Sequence, residues 1–277
     1  MGKDKLKKFA ENKTFRCLVQ PEFDEIFGKD HPLKGRWHAD FFRNDRPIVL
    51  ELGCGKGEYT VARAEADPET LFVGIDVDPI CVMRSAEAAC EAGAGNVVFV
   101  HDEDPDVLEL FGEGELASIL INFPTPFPKK KRAPRRLTYL DRLMKYRLVL
   151  EDGGTVRMRT DSTPFRDFSL TQLELAGYEI EWETDDVRGM FPDEPWSGYE
   201  RKLVAKGAPV VGFCAVPGPA PEHVEQTAPL SLVSYLPEDL ESLDYIPFGM
   251  QGSIDNIVGY NANRRKKGLP DWRPPIV

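Results

Sequence analysis

Apolar runs alternate with amphipathic stretches from residue 47 to about residue 176, and this alternation is the main structural signal of the chain. Five short apolar runs have the length and β-branched content of buried strands. They lie at 48–52, 71–76, 97–101, 118–123 and 155–160. Helix-like segments follow them at 58–65, 79–91, roughly 105–110, 138–150 and 164–176. This order predicts an α/β fold, a doubly wound and mostly parallel sheet with helices on both faces.

Two further strand-like segments, 178–184 and 200–216, predict an antiparallel edge and bring the sheet to seven strands. The pair Gly153-Gly154 predicts a turn between helix 138–150 and the following strand. Three regions result: an N-terminal extension (1–46), a central domain (47–216) and a proline-rich C-terminal extension of unknown role (217–277). Lysines 3, 5, 7, 8 and 13 lie on a possible helix of the first region. The apolar run 230–236 predicts that the third region is ordered.

Composition narrows the class of protein. The five cysteines are odd in number and form no CxxC pair, which argues against a disulfide framework and a zinc site and fits a reducing compartment. The first residues are charged without an apolar core, and no apolar run reaches membrane-spanning length. We therefore expect a cytoplasmic protein with no metal and no membrane partner, either a monomer or a homodimer.

One basic segment stands against the formal net charge of −11. It directly follows the predicted strand 118–123, and strand ends are where open α/β folds place their chemistry. Its six cationic side chains are Lys129, Lys130, Lys131, Arg132, Arg135 and Arg136. They predict a polyanionic partner whose phosphates they grip, and the plainer alternative is a solvated loop.

A glycine turn follows the first predicted strand, with the sequence Leu52-Gly53-Cys54-Gly55-Lys56-Gly57. The spacing lacks the third glycine of a dinucleotide fingerprint, which disfavours a nicotinamide enzyme. Glu51 before the turn suits a cationic ligand, namely the amino group and sulfonium of S-adenosylmethionine. Asp76 ends the next strand, where a carboxylate can bind ribose hydroxyls. The alternative is a tight turn only, with Asp76 capping the next helix.

Two more strand ends carry candidate cofactor ligands. Asp102 follows strand 97–101 and is placed to accept the adenine amino group. Asn122, near the end of strand 118–123, is expected to touch the cofactor or position the loop after it. Cys54 in the glycine turn is interpreted as a small filler rather than a nucleophile, because no histidine lies near it in sequence.

Four segments together resemble the bacterial tRNA (guanine-N7-)-methyltransferase family. They are WHADFFRNDRPIVLELGCGKGEY (37–59), NFPTPFPKKKRAPRRL (122–137), Arg159-Thr160-Asp161 and Ser197-Gly198-Tyr199-Glu200. With the opening MGKDKLKKFA, the resemblance runs from residue 1 to about residue 215. It implies a class I methyltransferase fold, S-adenosylmethionine as cofactor, tRNA as partner and 7-methylguanosine in the tRNA variable loop as product.

The resemblance also implies roles for individual residues. Cofactor binding is assigned to Glu51, Asp76 and Asp102. The turn glycines Gly53 and Gly55 and the strand-end residue Asn122, singled out above from the residues alone, are expected to contribute to the same site. Contacts with tRNA fall to Lys129, and Arg132 of the same run is expected to join it. The target guanine would be held by Asp161 and Glu200, with help from Ser197.

One departure from the family pattern concerns the reaction. Thr125 stands where the family carries an active-site aspartate, and a hydroxyl cannot supply that negative charge. Thr125 is therefore expected to lower the rate of transfer. Two alternatives to the enzyme follow: a tRNA-binding homologue that has lost turnover, and a small-molecule methyltransferase, against which the basic run argues.

Overall fold

A computed structural model describes residues 16–19, 29–102, 106–240 and 243–273. The lysine-bearing helix expected near the start of the chain lies outside these ranges. The chain divides into two compact units. The first unit comprises Met1–Asn122, Lys145–Arg157 and Asp193–Gly198, and the second comprises Phe123–Met144, Met158–Pro192 and Tyr199–Val277.

The described strands form one sheet in the order β1-β4-β3-β2-β5-β6-β8-β7. They are β1 (Leu18–Val19), β2 (Ile48–Leu52), β3 (Leu71–Asp76), β4 (Val97–His101), β5 (Leu116–Asn122), β6 (Leu150–Thr160), β7 (Tyr178–Thr184) and β8 (Val211–Pro217). The pairs β1–β4, β4–β3, β3–β2 and β2–β5 are parallel, and β7–β8 is antiparallel. The predicted α/β architecture with an antiparallel edge is therefore confirmed.

The sheet has eight strands among the described residues, and the predicted number of seven is wrong by the short strand β1. Leu18 and Val19 pair with Phe99 and Val100. Two residues are too few to give the alternating pattern from which a strand is read.

Eight α-helices are found in the described ranges. They are α1 (Glu58–Ala66), α2 (Pro79–Ala92), α3 (Val107–Leu110), α4 (Leu140–Val149), α5 (Thr163–Leu175), α6 (Val187–Met190), α7 (Gly198–Val204) and α8 (Gln251–Lys266). Shorter helical turns of other types lie at Trp37–Phe42, Lys130–Arg135 and Leu232–Tyr235.

Two local predictions are wrong. The segment 200–216 is not one strand, because its first part belongs to helix α7 and only Val211–Pro217 forms β8. The pair Gly153-Gly154 lies inside β6 rather than in a turn before it. Gly153 has a φ of 77°, and a side chain on Gly154 would meet the Glu151 carbonyl oxygen at 2.9 Å. These glycines therefore allow an irregular stretch within the strand.

The C-terminal residues contribute to the core of the second unit. Phe165 and Phe168 of α5 pack in one buried cluster with Leu232, Met250 and Ile254. The apolar run 230–236 is thus ordered against α5, as its composition predicted. Across the residues placed by the structure, no helix combines the length and apolar character needed to cross a membrane.

Candidate active site

Glu51 is a buried acid at the centre of the first unit. It lies in β2 and is only 3% exposed. The hydroxyl of Thr60 on α1 donates to its Oε2, and Asn122 Nδ2 at the end of β5 donates to its Oε1 at 2.8 Å. Because a buried carboxylate is costly without hydrogen bonds, these donors satisfy the group and fix its orientation. Asn122 thus has a defined partner, which the sequence did not identify.

The glycines of the turn serve two different purposes. Gly53 and Gly55 have φ values of 75° and 58°, and a Cβ on either would meet nothing within 4 Å. Their backbone is therefore open to close approach by a ligand. Gly57 is different, because a Cβ there would lie 2.6 Å from Ser85 Cβ and 2.8 Å from the Phe99 ring. Gly57 is needed for packing against α2 and β4.

Asp76 supports the turn from the end of β3. Its Oδ2 accepts from the Gly55 N–H at 2.8 Å and its Oδ1 from the Asp78 N–H at 2.9 Å. The cap of α2 is Asp78, which accepts from the Ile80 N–H, so the alternative that Asp76 caps this helix is wrong. Each carboxylate oxygen has a second lone pair, so Asp76 can still accept a ribose hydroxyl. The Asp102 N–H donates to the Asp76 carbonyl at 3.3 Å.

These groups fit S-adenosylmethionine. A buried, oriented carboxylate (Glu51) suits the cationic part of that molecule, and an open glycine backbone leaves room for it. Asp76 offers carboxylate oxygens at a strand end, as ribose recognition requires.

Cys54 has no nucleophilic character in this turn. Its thiol is buried, and burial together with the negative charges of Glu51 and Asp76 raises its pKa well above the usual value. A thiol of raised pKa stays protonated at neutral pH and is a poor nucleophile. This supports the interpretation of Cys54 as a small filler.

Ser197 and Gly198 are held on α1 within the first unit. The N–H of Gly198 donates to the Glu58 carboxylate, and a Cβ on Gly198 would lie 2.7 Å from the same group. Glu194, just before them, forms an ion pair with Arg157 and lies 3.8 Å from Arg63. Glu58 is therefore an anchor for the Ser197–Gly198 segment, a role that its position in the sequence did not reveal.

In the second unit, Asp161 lies between β6 and α5 and is 8% exposed. Its Oδ2 accepts a hydrogen bond of 2.5 Å from the Tyr245 hydroxyl. Burial, this hydrogen bond and the Asp161 charge all raise the pKa of Tyr245, so that the phenol stays a donor. Asp161 and Tyr245 both border a cavity of about 470 Å³. The sequence singled out Asp161 but not Tyr245.

Glu200 has different surroundings from Asp161. It is 0% exposed, and Arg188 of α6 donates to both of its oxygens, with Nε–Oε1 at 2.5 Å. Arg159 Nη1 lies 3.9 Å from Oε2. The binding of guanine by Glu200 stays a prediction, because this carboxylate is fully buried and both of its oxygens already accept from Arg188.

An exposed aromatic ring, Tyr199, lies near Asp161 in the same unit. Tyr199 is 52% exposed and meets the Phe123 ring edge-on at a centroid distance of 5.9 Å. Burial and the negative charge of Asp161 raise the pKa of Tyr199. An exposed ring beside a carboxylate offers a face on which a base can stack.

The basic run separates into exposed and buried members. Lys129, Lys130, Lys131, Arg132 and Arg135 are exposed, and Thr125 in the preceding loop is exposed as well. No described residue forms an ion pair with the three lysines or Arg132. These four cations are available to an anionic partner.

Arg136 does not belong with them, which corrects its assignment to the phosphate-gripping run. It is 0% exposed, donates to the carbonyls of Pro126 at 2.9 Å and Phe127 at 2.8 Å, and stacks on Phe168 at 4.2 Å. Burial lowers its pKa to about 10, so it stays charged at neutral pH. Arg136 therefore stabilises the loop instead of binding a ligand. A run of consecutive basic residues does not indicate which of its side chains is buried.

The chain is similar to known methyltransferases in three kinds of comparison: with a family model, with solved structures and with curated relatives. The family described as "Putative methyltransferase" has a sequence model that matches residues 45–213. Among solved structures, the 16S rRNA methyltransferase KamB is 13% identical with a TM-score of 0.51, over 67% of this chain and 95% of that chain. At this identity the similarity concerns the fold alone, a class I methyltransferase sheet.

Curated relatives are closer. The tRNA (guanine-N(7)-)-methyltransferase of Christiangramia forsetii is 38% identical over 214 residues, which cover 76% of this chain and 96% of that protein. The protein of the same name from Geobacillus thermodenitrificans is 35% identical over 63% of this chain and 81% of its own length. The Bacteroides fragilis protein is 34% identical over 68% and 73%. With the matched family range and the cofactor-type turn, these similarities establish that the chain belongs to the tRNA (guanine-N(7)-)-methyltransferase family.

Proposed function

We propose that this protein transfers a methyl group from S-adenosylmethionine to N7 of a guanine in the variable loop of tRNA, in the cytoplasm. Family membership over most of the chain carries this proposal. The exposed cations of the run 129–132 support a polyanionic substrate rather than a small molecule.

The proposed reaction requires little acid–base catalysis from the protein. Guanine N7 carries an in-plane lone pair and no proton, so no general base is needed to create the nucleophile. When bound, S-adenosylmethionine supplies an electrophilic methyl group on a positively charged sulfur. The rate then depends mainly on alignment of the two reacting atoms and on stabilisation of the cationic product base by nearby carboxylates.

The residues of this chain divide that work. The proposed cofactor ligands are Glu51, Gly53, Gly55, Asp76, Asp102 and Asn122. The proposed tRNA ligands are Lys129, Arg132, Ser197, Asp161 and Glu200. Asp161 accepts from the N1–H or N2–H₂ donors of the guanine, because its carboxylate reaches the cavity described above and keeps lone pairs after bonding to Tyr245.

A methylation assay tests the proposal. The full-length protein is incubated with S-adenosylmethionine and unmodified tRNA, and the digested nucleosides are separated by mass spectrometry. We expect 7-methylguanosine at a single position in the variable loop. Binding of tRNA without any product at stoichiometric enzyme would favour the homologue without turnover. Cofactor consumption that does not require tRNA would favour a small-molecule substrate.

Thr125 allows the rate itself to be tested. Its side chain is exposed, so an aspartate at this position carries little desolvation cost. We expect Thr125→Asp to raise the single-turnover rate about tenfold by adding negative charge near the product cation. Thr125→Asn is the matched control, because the asparagine side chain has the same size as that of aspartate but carries no charge. An equal effect of the two substitutions would show that charge at this position is irrelevant.

A further inference from the structure

We infer that Tyr245, in the C-terminal residues 217–273, is a positioning residue that orients Asp161 for the guanine substrate. This inference rests on the proposed function and adds to it a residue outside the matched family range, which ends at residue 213. The C-terminal residues would then be part of the substrate site rather than an appendage.

The contact itself is short and specific. The Tyr245 hydroxyl donates to Asp161 Oδ2 at 2.5 Å, although the two residues are 84 positions apart in sequence. A carboxylate turns freely about its Cβ–Cγ bond unless a partner fixes it. A hydrogen bond to Oδ2 fixes the plane of the group and leaves Oδ1 to accept from a base.

Tyr245 is held in place from both sides along the chain. On the N-terminal side, Leu232 and Leu236 lie in the buried cluster with Phe168, and the Leu232 N–H donates to the Pro128 carbonyl at 3.1 Å. On the C-terminal side, Met250 is buried in the same cluster. A donor carried by a packed segment keeps its direction, as a positioning role requires.

The surroundings admit a substrate. Asp161 and Tyr245 border the cavity of about 470 Å³ together with apolar groups that include Leu236 and Leu243. Apolar walls with a few fixed polar groups are typical of sites for planar organic ligands. The raised pKa of Tyr245 keeps its proton on the oxygen, in agreement with the donor role seen in the geometry.

Tyr245→Phe removes the hydroxyl alone and provides the test. Tyr235→Phe is the matched control, because Tyr235 lies in the same segment and borders the same cavity, but its hydroxyl bonds to the Pro229 carbonyl and Thr171 instead of Asp161. We expect kcat/KM on tRNA to fall about tenfold in Tyr245→Phe, the value for a hydrogen bond to a charged group, and to fall clearly less in Tyr235→Phe, whose hydroxyl bonds only to neutral groups.

Two further measurements separate positioning from general loosening. Cofactor binding should be the same in the two variants, since Asp161 and Tyr245 belong to the second unit and the cofactor turn to the first. Thermal unfolding should change by similar amounts, because each variant loses one hydrogen-bonded phenolic hydroxyl. A tRNA with inosine at the target position lacks the N2 amino group. The preference for guanine over inosine should shrink in Tyr245→Phe and persist in Tyr235→Phe.

The outcomes are distinguishable from failure of the proposed function. If the unaltered protein forms no 7-methylguanosine, the proposed function fails. If it does, wild-type kinetics in Tyr245→Phe, equal losses in both variants, or an unchanged guanine preference would each overturn the role of Tyr245. Faster turnover in Tyr245→Phe would also overturn it, because the hydroxyl would then compete with the base for Asp161.

Discussion

The turn after β2 and the loop after β5 both follow a buried parallel strand, but their backbones are held in different ways. Residues 53–57 adopt left-handed conformations at glycines, where such conformations cost little. Residues 123–128 adopt them at Phe123 and Phe127, with φ values of 49° and 43°. The conformation of the first turn follows from its own glycines. The conformation of the second loop depends on contacts with residues outside the loop.

Those partners are identifiable. The carbonyls of Pro126, Phe127 and Pro128 accept from Arg136 and Leu232, and the Phe123 N–H donates to the Arg159 carbonyl at 2.7 Å. A strained loop persists only where its surroundings determine it. The comparison teaches that the residues proposed for the cofactor all lie within positions 51–122, whereas the part proposed for the substrate is assembled from the second half of the chain.

Gly57→Ala tests the local turn and should have the largest effect. The added methyl would meet Ser85 and Phe99 at less than 3 Å in a left-handed conformation, and we expect a loss of about 3 kcal/mol in the free energy of unfolding. Urea denaturation measures it. Gly53→Ala is the control, because only the conformation is strained there, and it should cost about 1 kcal/mol. Equal losses would mean that packing does not distinguish the two glycines.

Arg136→Ala tests the loop held from a distance. Two carbonyls lose their donor and Phe168 loses its stacking partner, so we expect a loss of about 2–3 kcal/mol in urea denaturation. Arg135→Ala is the control, since the exposed Arg135 stacks on Phe127 at 4.7 Å and contributes about 0.5 kcal/mol. If both variants lost the same amount, the distinction between buried and exposed members of the run would fail.

Glu51→Gln tests the electrostatic part of the local turn. The amide keeps the size of the side chain but removes the charge opposite the cationic ligand, and we expect S-adenosylmethionine to bind about thirtyfold more weakly, or about 2 kcal/mol. Isothermal titration calorimetry measures the dissociation constant. Glu65→Gln, an exposed acid on α1, should leave it unchanged. Unaltered cofactor affinity in Glu51→Gln would remove Glu51 from the binding site.

Replacing the exposed cations of the loop should have the smallest effect on stability, and its effect on tRNA binding should be largest at low salt, where counterion release contributes most. Replacing Lys129, Lys130 and Lys131 by alanine should weaken tRNA binding at every salt concentration and reduce the slope of log K against log salt by roughly 0.7–0.9 per lost contact. Filter binding at four salt concentrations gives the slope. Arg264, Arg265, Lys266 and Lys267 offer a matched basic cluster at the end of α8, whose replacement should change the slope less, since Arg265 pairs with Asp271. An unchanged slope in the lysine variant would assign these lysines to solvent.

Much of the fold was readable because burial imposes simple patterns. The strands β2, β3 and β4 have the predicted bounds, since each is a short, mainly apolar run, ended in β2 by the glycine turn and in β3 and β4 by a polar residue. The segment 200–216 misled because a seven-residue helix gives barely two turns of pattern before the true strand begins. Short elements carry too few positions to separate a period of 3.6 from a period of 2.

The sequence predicted those parts of the candidate site whose residues belong to recognisable motifs, and it missed the contacts between residues far apart in the chain. Glu51 and the glycines are neighbours in the sequence, Asp76 ends the next strand, and the structure brings Asp76 against the turn. By contrast, the pairs Tyr245–Asp161 and Arg188–Glu200 join residues with no shared motif, and nothing in a single sequence reports such contacts. Arg136 shows the same limit, because its neighbours in sequence are solvated while it is buried.

The bond between Leu232 and Pro128 has a consequence for synthesis of the protein on the ribosome. Translation runs from the N-terminus, and nascent chains fold as their segments emerge. The glycine turn has all its partners once residue 122 has left the exit tunnel, whereas the loop at 123–128 lacks its clamp until residue 232 has followed. A growing chain should therefore form the pocket proposed for the cofactor well before the part proposed to bind tRNA takes shape.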